Sequence, residues 1–134
     1  MDIDTHDDRH ERGLEFLTKI DGSAGEKVLA ALAPIAPDLG RMVVDFAFGE
    51  VISRPGLDLK TRELCTIAML AALGNARPQL VVHLNACLNV GATPRQIVET
   101  LMQSAVYAGF PAALNAVFAA QEVFVTRGVD PAAE

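Results

Sequence analysis

The chain has 134 residues, which is enough for one domain of ordinary size. Hydrophobic residues make up 51% of it and charged residues 21%, a composition that excludes disorder for the body of the chain. The net charge of −6 comes from the first fifteen residues and the C-terminal tail, because residues 16–129 hold nine acidic and nine basic side chains. A neutral body without a basic stripe argues against a nucleic-acid-binding protein.

The N-terminal segment and the cysteines limit the class of protein further. The N-terminal segment is polar and acidic, unlike a signal or transit peptide, and no uncharged apolar stretch reaches the length of a membrane span. Cys65 and Cys87 both lie in apolar helical patterns, and with no export signal we expect two free thiols in a reducing cytoplasm. The two cysteines form no C-x-x-C motif. The mean hydropathy of +0.28 is high for a small chain. Excess apolar surface of this kind often covers subunit interfaces, so we expect a homo-oligomer.

The spacing of apolar residues predicts an all-α protein of about six or seven short helices. We expect a solvated acidic arm at 1–12, a single helical domain at 13–128 and a C-terminal tail at 129–134. The predicted helices lie near 11–20, 28–35, 38–51, 59–73, from a cap at Asn75 to 90, at 94–108 and at 112–127.

Capping patterns mark several helix ends. Ser23 and Glu26 fit a capping box ahead of the second helix, and Thr93 and Gln96 fit one ahead of the sixth. The run Gly109-Phe110-Pro111 separates the last two helices.

Two histidines of the arm, His6 and His10, stand four residues apart, a spacing seen in metal sites. A solvated arm is the simpler interpretation, and we expect no metal site. The chain also lacks a glycine-rich nucleotide-binding motif.

The most suggestive polar residues are Glu63 on the fourth predicted helix and His83 on the fifth. If these helices form an antiparallel hairpin around Gly74, Glu63 and His83 lie about 16 Å and about 13 Å from the turn at 1.5 Å per residue. The two side chains would then meet in a partly apolar crevice, where coupled ionisation suits proton transfer. The alternative is structural: Glu63 pairs with an arginine, and His83 is a core histidine with satisfied hydrogen bonds.

Other candidate functional residues also have simple structural explanations. Arg41, Arg54 and Arg62 are the bases nearest this region, and each guanidinium suits a carboxylate or a surface ion pair. Gln103 and Tyr107 share a helix face, where they line either a pocket or a subunit interface. Cys87 lies one turn from His83 and is by default a buried, inert thiol.

Several short stretches of the chain are informative together. The stretches are FGE at 48–50, SRPGL at 53–57, TREL at 61–64, QLVVH at 79–83, GAT at 91–93 and QSAVYAGFPAA at 103–113. By their order and spacing, the chain from about residue 24 to 127 resembles the carboxymuconolactone decarboxylase family, which also contains the AhpD-like alkylhydroperoxidases.

The resemblance implies an AhpD-like helical bundle that assembles into oligomers, commonly trimers or hexamers. The peroxidase branch of the family uses C-x-x-C-x-x-x-H. With His83 as the histidine, Ala76 and Gln79 occupy the cysteine positions, so thiol peroxidase activity is not expected.

The decarboxylase branch needs no cofactor, because 4-carboxymuconolactone delocalises its own electrons onto the lactone carbonyl. The resemblance therefore implies a carboxy-lyase of aromatic-acid (protocatechuate) catabolism. In it His83 acts as general acid or oxyanion donor, and Glu63 orients or reprotonates His83. Arg54 binds a carboxylate, with Arg62, Gln103 and Tyr107 as further substrate-binding residues.

Two other functions stay open at this point. A sibling enzyme would perform proton transfer on a related lactone or another enolisable acid. A non-catalytic helical oligomer would bind a small molecule or a partner protein instead.

Overall fold

The computed structural model describes residues 5–134, apart from the side chain of His6. This part of the chain is all-helical and contains no strand, which confirms the predicted fold class. A π-helix, Val43–Ile52, follows the third of seven α-helices. The α-helices are α1 (His6–Asp21), α2 (Ser23–Leu32), α3 (Pro37–Met42), α4 (Leu59–Leu73), α5 (Arg77–Asn89), α6 (Pro94–Ala108) and α7 (Phe110–Arg127).

The described residues form two compact units, one ending at Asp58 and one running from Leu59 to Glu134. The predicted division into an arm, one domain at 13–128 and a tail stays a prediction. The tail residues do make contacts: Arg95 N donates to the carbonyl oxygen of Ala133 at 3.1 Å, and the Arg95 guanidinium lies 3.2 Å from the Glu134 carboxylate.

In the first unit α1 packs closely along the π-helix. Gly49 permits the approach, because a Cβ there would lie 2.5 Å from the carbonyl oxygen of Arg9. The side chains of Arg9 and Glu50 form an ion pair across this contact. Arg12 Nε also donates to the carbonyl oxygen of Gly49 at 2.8 Å. The third predicted helix is thus divided into α3 and a π-helix, whose i→i+5 bonding continues in the 3.1 Å bond from Ser53 N to Phe48 O.

Two predicted helix starts in this unit are wrong. The first helix begins at His6 rather than near residue 11, because Thr5 and Asp8 form a reciprocal capping box. In the second helix, Ser23 is already helical and makes no side-chain cap. The N-cap is Gly22, with φ +57°, a backbone conformation that glycine adopts without strain.

The second unit packs α4 against α5, α6 and α7, with further contacts between α5 and α7 and between α6 and α7. The predicted bounds of α4 and the Thr93–Gln96 capping box of α6 are confirmed. The predicted Asn75 cap is wrong, since Ala76 is the N-cap of α5 and makes no side-chain bond. The largest core side chains are Ile67, Leu80, Leu84, Cys87, Ile97, Leu101, Val123 and Phe124.

Large apolar side chains also remain exposed on this unit. Val106 is 75% exposed, Phe110 72% and Val125 76%. Within residues 5–134, none of the helices is both long enough and apolar enough to span a membrane.

Candidate functional site

The structure brings Glu63 and His83 together, as the hairpin geometry predicts. The distance from His83 Nδ1 to Glu63 Oε2 is 2.9 Å. Glu63 lies in the second turn of α4, and His83 in the second turn of α5. The Glu63 side chain is 1% exposed and the His83 side chain 22% exposed. The pair therefore combines a carboxylate sealed in the protein with an imidazole that solvent can reach.

The chemistry of a carboxylate fixes the orientation of the pair. An ionised carboxylate only accepts hydrogen bonds, so the proton between these atoms belongs to Nδ1 of His83. Burial of an unpaired carboxylate is costly, and the imidazole supplies the compensating donor. A Glu–His pair with one partner exposed can take a proton from solvent and deliver it to a bound molecule.

Cys87 follows His83 by one helical turn and is fully buried. Burial raises the pKa of the Cys87 thiol far above its usual range, and the negative charge of Glu63 raises it further. The thiol is thus protonated at neutral pH and is not a nucleophile, in agreement with the expectation of an inert cysteine. Cys65 is exposed, and both cysteines are free thiols.

Gln103 and Tyr107 line one cavity of about 380 Å³ between α4 and α6, here called the α4–α6 groove. Thr100, Ser104 and Cys65 are its other polar residues, and the remaining lining is aliphatic. Tyr107 is 88% exposed. The two predicted residues are therefore brought to one groove, whose described lining includes neither Glu63 nor His83.

The structure assigns the arginines to different places. Arg54 is exposed and belongs to the first unit, whereas Arg62 is half-buried and precedes Glu63 on α4 of the second unit. Arg41 pairs with Asp38 at 2.9 Å on the surface of α3. The substrate-binding roles of Arg54 and Arg62 stay predictions.

A second cavity of this unit, of about 400 Å³, lies where α4 turns into α5 and against α7. Arg77 and Asn115 are its polar lining residues, and Arg77 pairs with Glu122 at 2.6 Å. Sequence reasoning missed both. The available signal was Ala76, which also lines this cavity and stands at one of the cysteine positions of the resembled peroxidase branch.

Comparisons with known proteins agree on one family. The model of the carboxymuconolactone decarboxylase family matches residues 37–122. A 4-carboxymuconolactone decarboxylase of Acinetobacter baylyi is 40% identical, over 92% of both chains. A nitrosuccinic acid decarboxylase of Metarhizium robertsii is 30% identical, over 88% of this chain and 85% of the relative.

An uncharacterised 15.0 kDa protein of Paracoccus denitrificans is 36% identical, over 72% of both chains. The family match covers more than half of the chain, and it includes Glu63 and His83. The chain therefore belongs to the carboxymuconolactone decarboxylase family and is a carboxy-lyase.

Proposed function

We propose that the chain decarboxylates 4-carboxymuconolactone or a closely related carboxylated lactone without a cofactor, and that Glu63 and His83 handle the proton. The observation that carries this proposal is the 2.9 Å hydrogen bond between a sealed carboxylate and a solvent-accessible imidazole. Support for the substrate class comes from the Acinetobacter baylyi relative, whose name specifies 4-carboxymuconolactone.

The reaction requires one bond cleavage and one proton transfer. The bond between the γ carbon and its carboxylate breaks, CO2 leaves, and the electron pair moves through the ring double bond onto the lactone carbonyl. Protonation of the α carbon then gives the product lactone. The enzyme must hold the carboxylates, stabilise the dienolate oxygen and supply a proton.

In this proposal His83 supplies the proton and regains it from solvent, since its ring is partly exposed. Glu63 is a positioning residue, because it holds Nδ1 of His83 and is itself sealed from solvent. Arg62 binds a carboxylate of the substrate, since a guanidinium fork matches its geometry. The same role for Arg54, which belongs to the first unit, stays a prediction from the sequence. Gln103 and Tyr107 offer polar groups to the substrate from the α4–α6 groove.

The direct test incubates the purified chain with 4-carboxymuconolactone and follows CO2 release together with loss of the lactone's ultraviolet absorbance. We expect the wild-type chain to turn over and His83→Ala to lose about 10²–10⁴-fold in turnover number. Circular dichroism and sedimentation must show that the variant folds and assembles normally. A His83→Ala chain that keeps turnover within a few-fold would contradict the assigned role.

A second substrate is suggested by the Metarhizium robertsii relative, which is named for nitrosuccinic acid. Nitrosuccinate is a small acid whose nitro group can accept the electrons that decarboxylation releases. The same assay on nitrosuccinate separates the candidates, because the ratio of the two kcat/KM values identifies the preferred substrate. A folded chain that converts neither acid would favour the ligand-binding oligomer.

We also propose that the chain forms a homo-oligomer, a trimer or hexamer, in the cytoplasm, and that it serves aromatic-acid breakdown. The exposed Val106, Phe110 and Val125 support self-association, since large apolar surfaces of soluble chains usually meet a partner. Sedimentation equilibrium should give a multiple of 14.3 kDa. Val106→Glu should lower that mass, whereas the matched Glu99→Gln variant should not. A monomeric wild-type chain would contradict self-association.

A further inference from the structure

The first unit contains a second carboxylate–imidazole pair, which the proposed function does not use. His10 Nδ1 on α1 lies 2.7 Å from Asp45 Oδ1 on the π-helix. The Asp45 side chain is 13% exposed and the His10 side chain 39% exposed. Since a carboxylate only accepts, Nδ1 of His10 carries the shared proton and the imidazole is held in one orientation. The sequence analysis treated His10 only as half of a metal pair, and the side chain of His6 lies outside the described residues.

This imidazole lines a cavity of about 270 Å³, here called the His10 cavity. Its walls come from α1, α2, α3 and the start of the π-helix. The lining residues are His10, Leu14, Leu29, Ala33, Pro37, Gly40, Arg41 and Val44. Gly40 lets α3 pack closely on α2 in this wall, because a Cβ there would lie 3.3 Å from Leu29 Cδ2.

Two polar side chains of the His10 cavity suit a carboxylate. Among the described lining residues, those with ionisable side chains are His10 and Arg41, which already face the carboxylates of Asp45 and Asp38. The rest of the lining is aliphatic. Arg41 is shared with Asp38 in an exposed ion pair one turn away, which is a weak interaction that a bound carboxylate can replace.

Size limits the molecule as well. A volume of about 270 Å³ corresponds to roughly nine water molecules at about 30 Å³ each. The matched family region begins at residue 37, so α1 and α2 contribute walls that lie outside it. Half of the residues that line the His10 cavity therefore lie in segments that the family model does not cover.

We propose that the His10 cavity is a binding site for a small aliphatic monocarboxylate, whose carboxylate contacts His10 and Arg41. Asp45 is the positioning residue of this site, because it orients the imidazole from the π-helix. The site is separate from the proposed active site in sequence and lies within the first unit.

The test is equilibrium dialysis of the full chain with radiolabelled hexanoate, whose eight non-hydrogen atoms suit the volume. We expect saturable binding of one molecule per chain. Hexanamide has the same shape without the charge and should compete about tenfold more weakly, because charge-assisted hydrogen bonds are the stronger ones.

Two matched variants locate the site. Ala33 lines the cavity and is an exposed residue, so Ala33→Phe should fill the space at little risk to folding. It should abolish hexanoate binding, whereas Ala31→Phe, exposed two residues earlier near the end of α2 and outside the lining, should not. Arg41→Gln should weaken binding about tenfold.

Other outcomes overturn the proposal. Absence of saturable binding, or equal affinities for Ala33→Phe and Ala31→Phe, would show that the cavity takes no carboxylate. If His83→Ala abolished binding, hexanoate would be occupying the proposed active site instead. If Ala33→Phe changed the mass of the assembly and hexanoate did not bind, the cavity would be an interface between copies.

Discussion

The two carboxylate–imidazole pairs of this chain share a geometry and differ in burial. In each, Nδ1 of a histidine meets a carboxylate oxygen, at 2.9 Å for Glu63–His83 and 2.7 Å for Asp45–His10. The acid is 1% exposed in the first pair and 13% in the second, and the imidazoles are 22% and 39% exposed. Water can therefore replace a lost partner more readily in the second pair.

This difference separates two uses of one chemical motif. A sealed carboxylate depends on its histidine, so it holds the ring firmly and suits a residue that must transfer a proton. A partly hydrated carboxylate constrains its ring less strongly and suits a residue that only orients a ligand. Burial, more than hydrogen-bond length, thus distinguishes the two pairs.

After the loss of turnover expected for His83→Ala, the largest expected effect concerns the positioning role of Glu63. Glu63→Gln keeps the size of the side chain. It replaces the carboxylate, which accepts the Nδ1 proton of His83, with an amide. We expect the turnover number on 4-carboxymuconolactone to fall about 10²-fold or more with KM nearly unchanged, because Glu63 is sealed from the substrate.

The control for this prediction is Glu99→Gln on the exposed face of α6, which should keep full activity. The pH dependence of kcat supplies a second readout, since altered positioning of His83, the proposed general acid, should displace the alkaline limb. A Glu63→Gln enzyme with normal turnover and an unchanged pH profile would assign Glu63 to packing alone.

The next effect compares the two histidines by stability. His83→Ala leaves a buried carboxylate without this donor and should cost about 3 kcal/mol of unfolding free energy. His10→Ala breaks a more exposed pair and should cost less than about 1 kcal/mol. Urea denaturation followed by circular dichroism measures both values.

A double variant tests the physical reason. Glu63→Leu combined with His83→Ala removes the orphaned charge and should recover most of the loss caused by His83→Ala. Equal losses for His83→Ala and His10→Ala, or no recovery in the double variant, would break the comparison between the pairs.

The sequence predicted the hairpin of α4 and α5 better than it predicted the first unit. The Glu63–His83 contact followed from residue spacing, because a helical hairpin has a fixed rise and one turn to anchor it. The Asp45–His10 contact joins residues 35 apart through packing of α1 on a π-helix, and neither the π-helix nor its glycine contact has a periodic signature.

The Thr93–Gln96 capping box of α6 was predicted, but the Thr5–Asp8 box of α1 was missed. The helix starts at Gly22 and Ala76, which make no side-chain cap, were missed as well. Arg77 and Asn115 were missed for a different reason. Cavities arise from the shape left between helices, which residue spacing along a single helix does not encode.

The last prediction concerns the pH dependence of stability. It uses the thiol of Cys87 to test whether the surroundings of Glu63 exclude water. The pKa of Cys87 is raised by burial and by the charge of Glu63. Above the ordinary thiol value of about 8.5, the unfolded chain loses this proton while the folded chain keeps it. The unfolded state then binds fewer protons, so stability is intact below that pH and falls above it, by up to about 1.4 kcal/mol per pH unit.

Cys87→Ala should remove this alkaline slope from plots of unfolding free energy against pH, whatever it costs at neutral pH. Cys65→Ala provides the matched control, because the exposed thiol of Cys65 should leave the slope in place. In Glu63→Gln the loss of stability should begin at the same pH but stop at a lower pH than in the wild-type chain. The reason is that one of the two causes of the raised Cys87 pKa is removed. If the alkaline slope of the unfolding free energy were undiminished in Cys87→Ala, the Cys87 thiol would not be its source. Water would then reach the surroundings of Glu63, and the two pairs would not differ in burial as described.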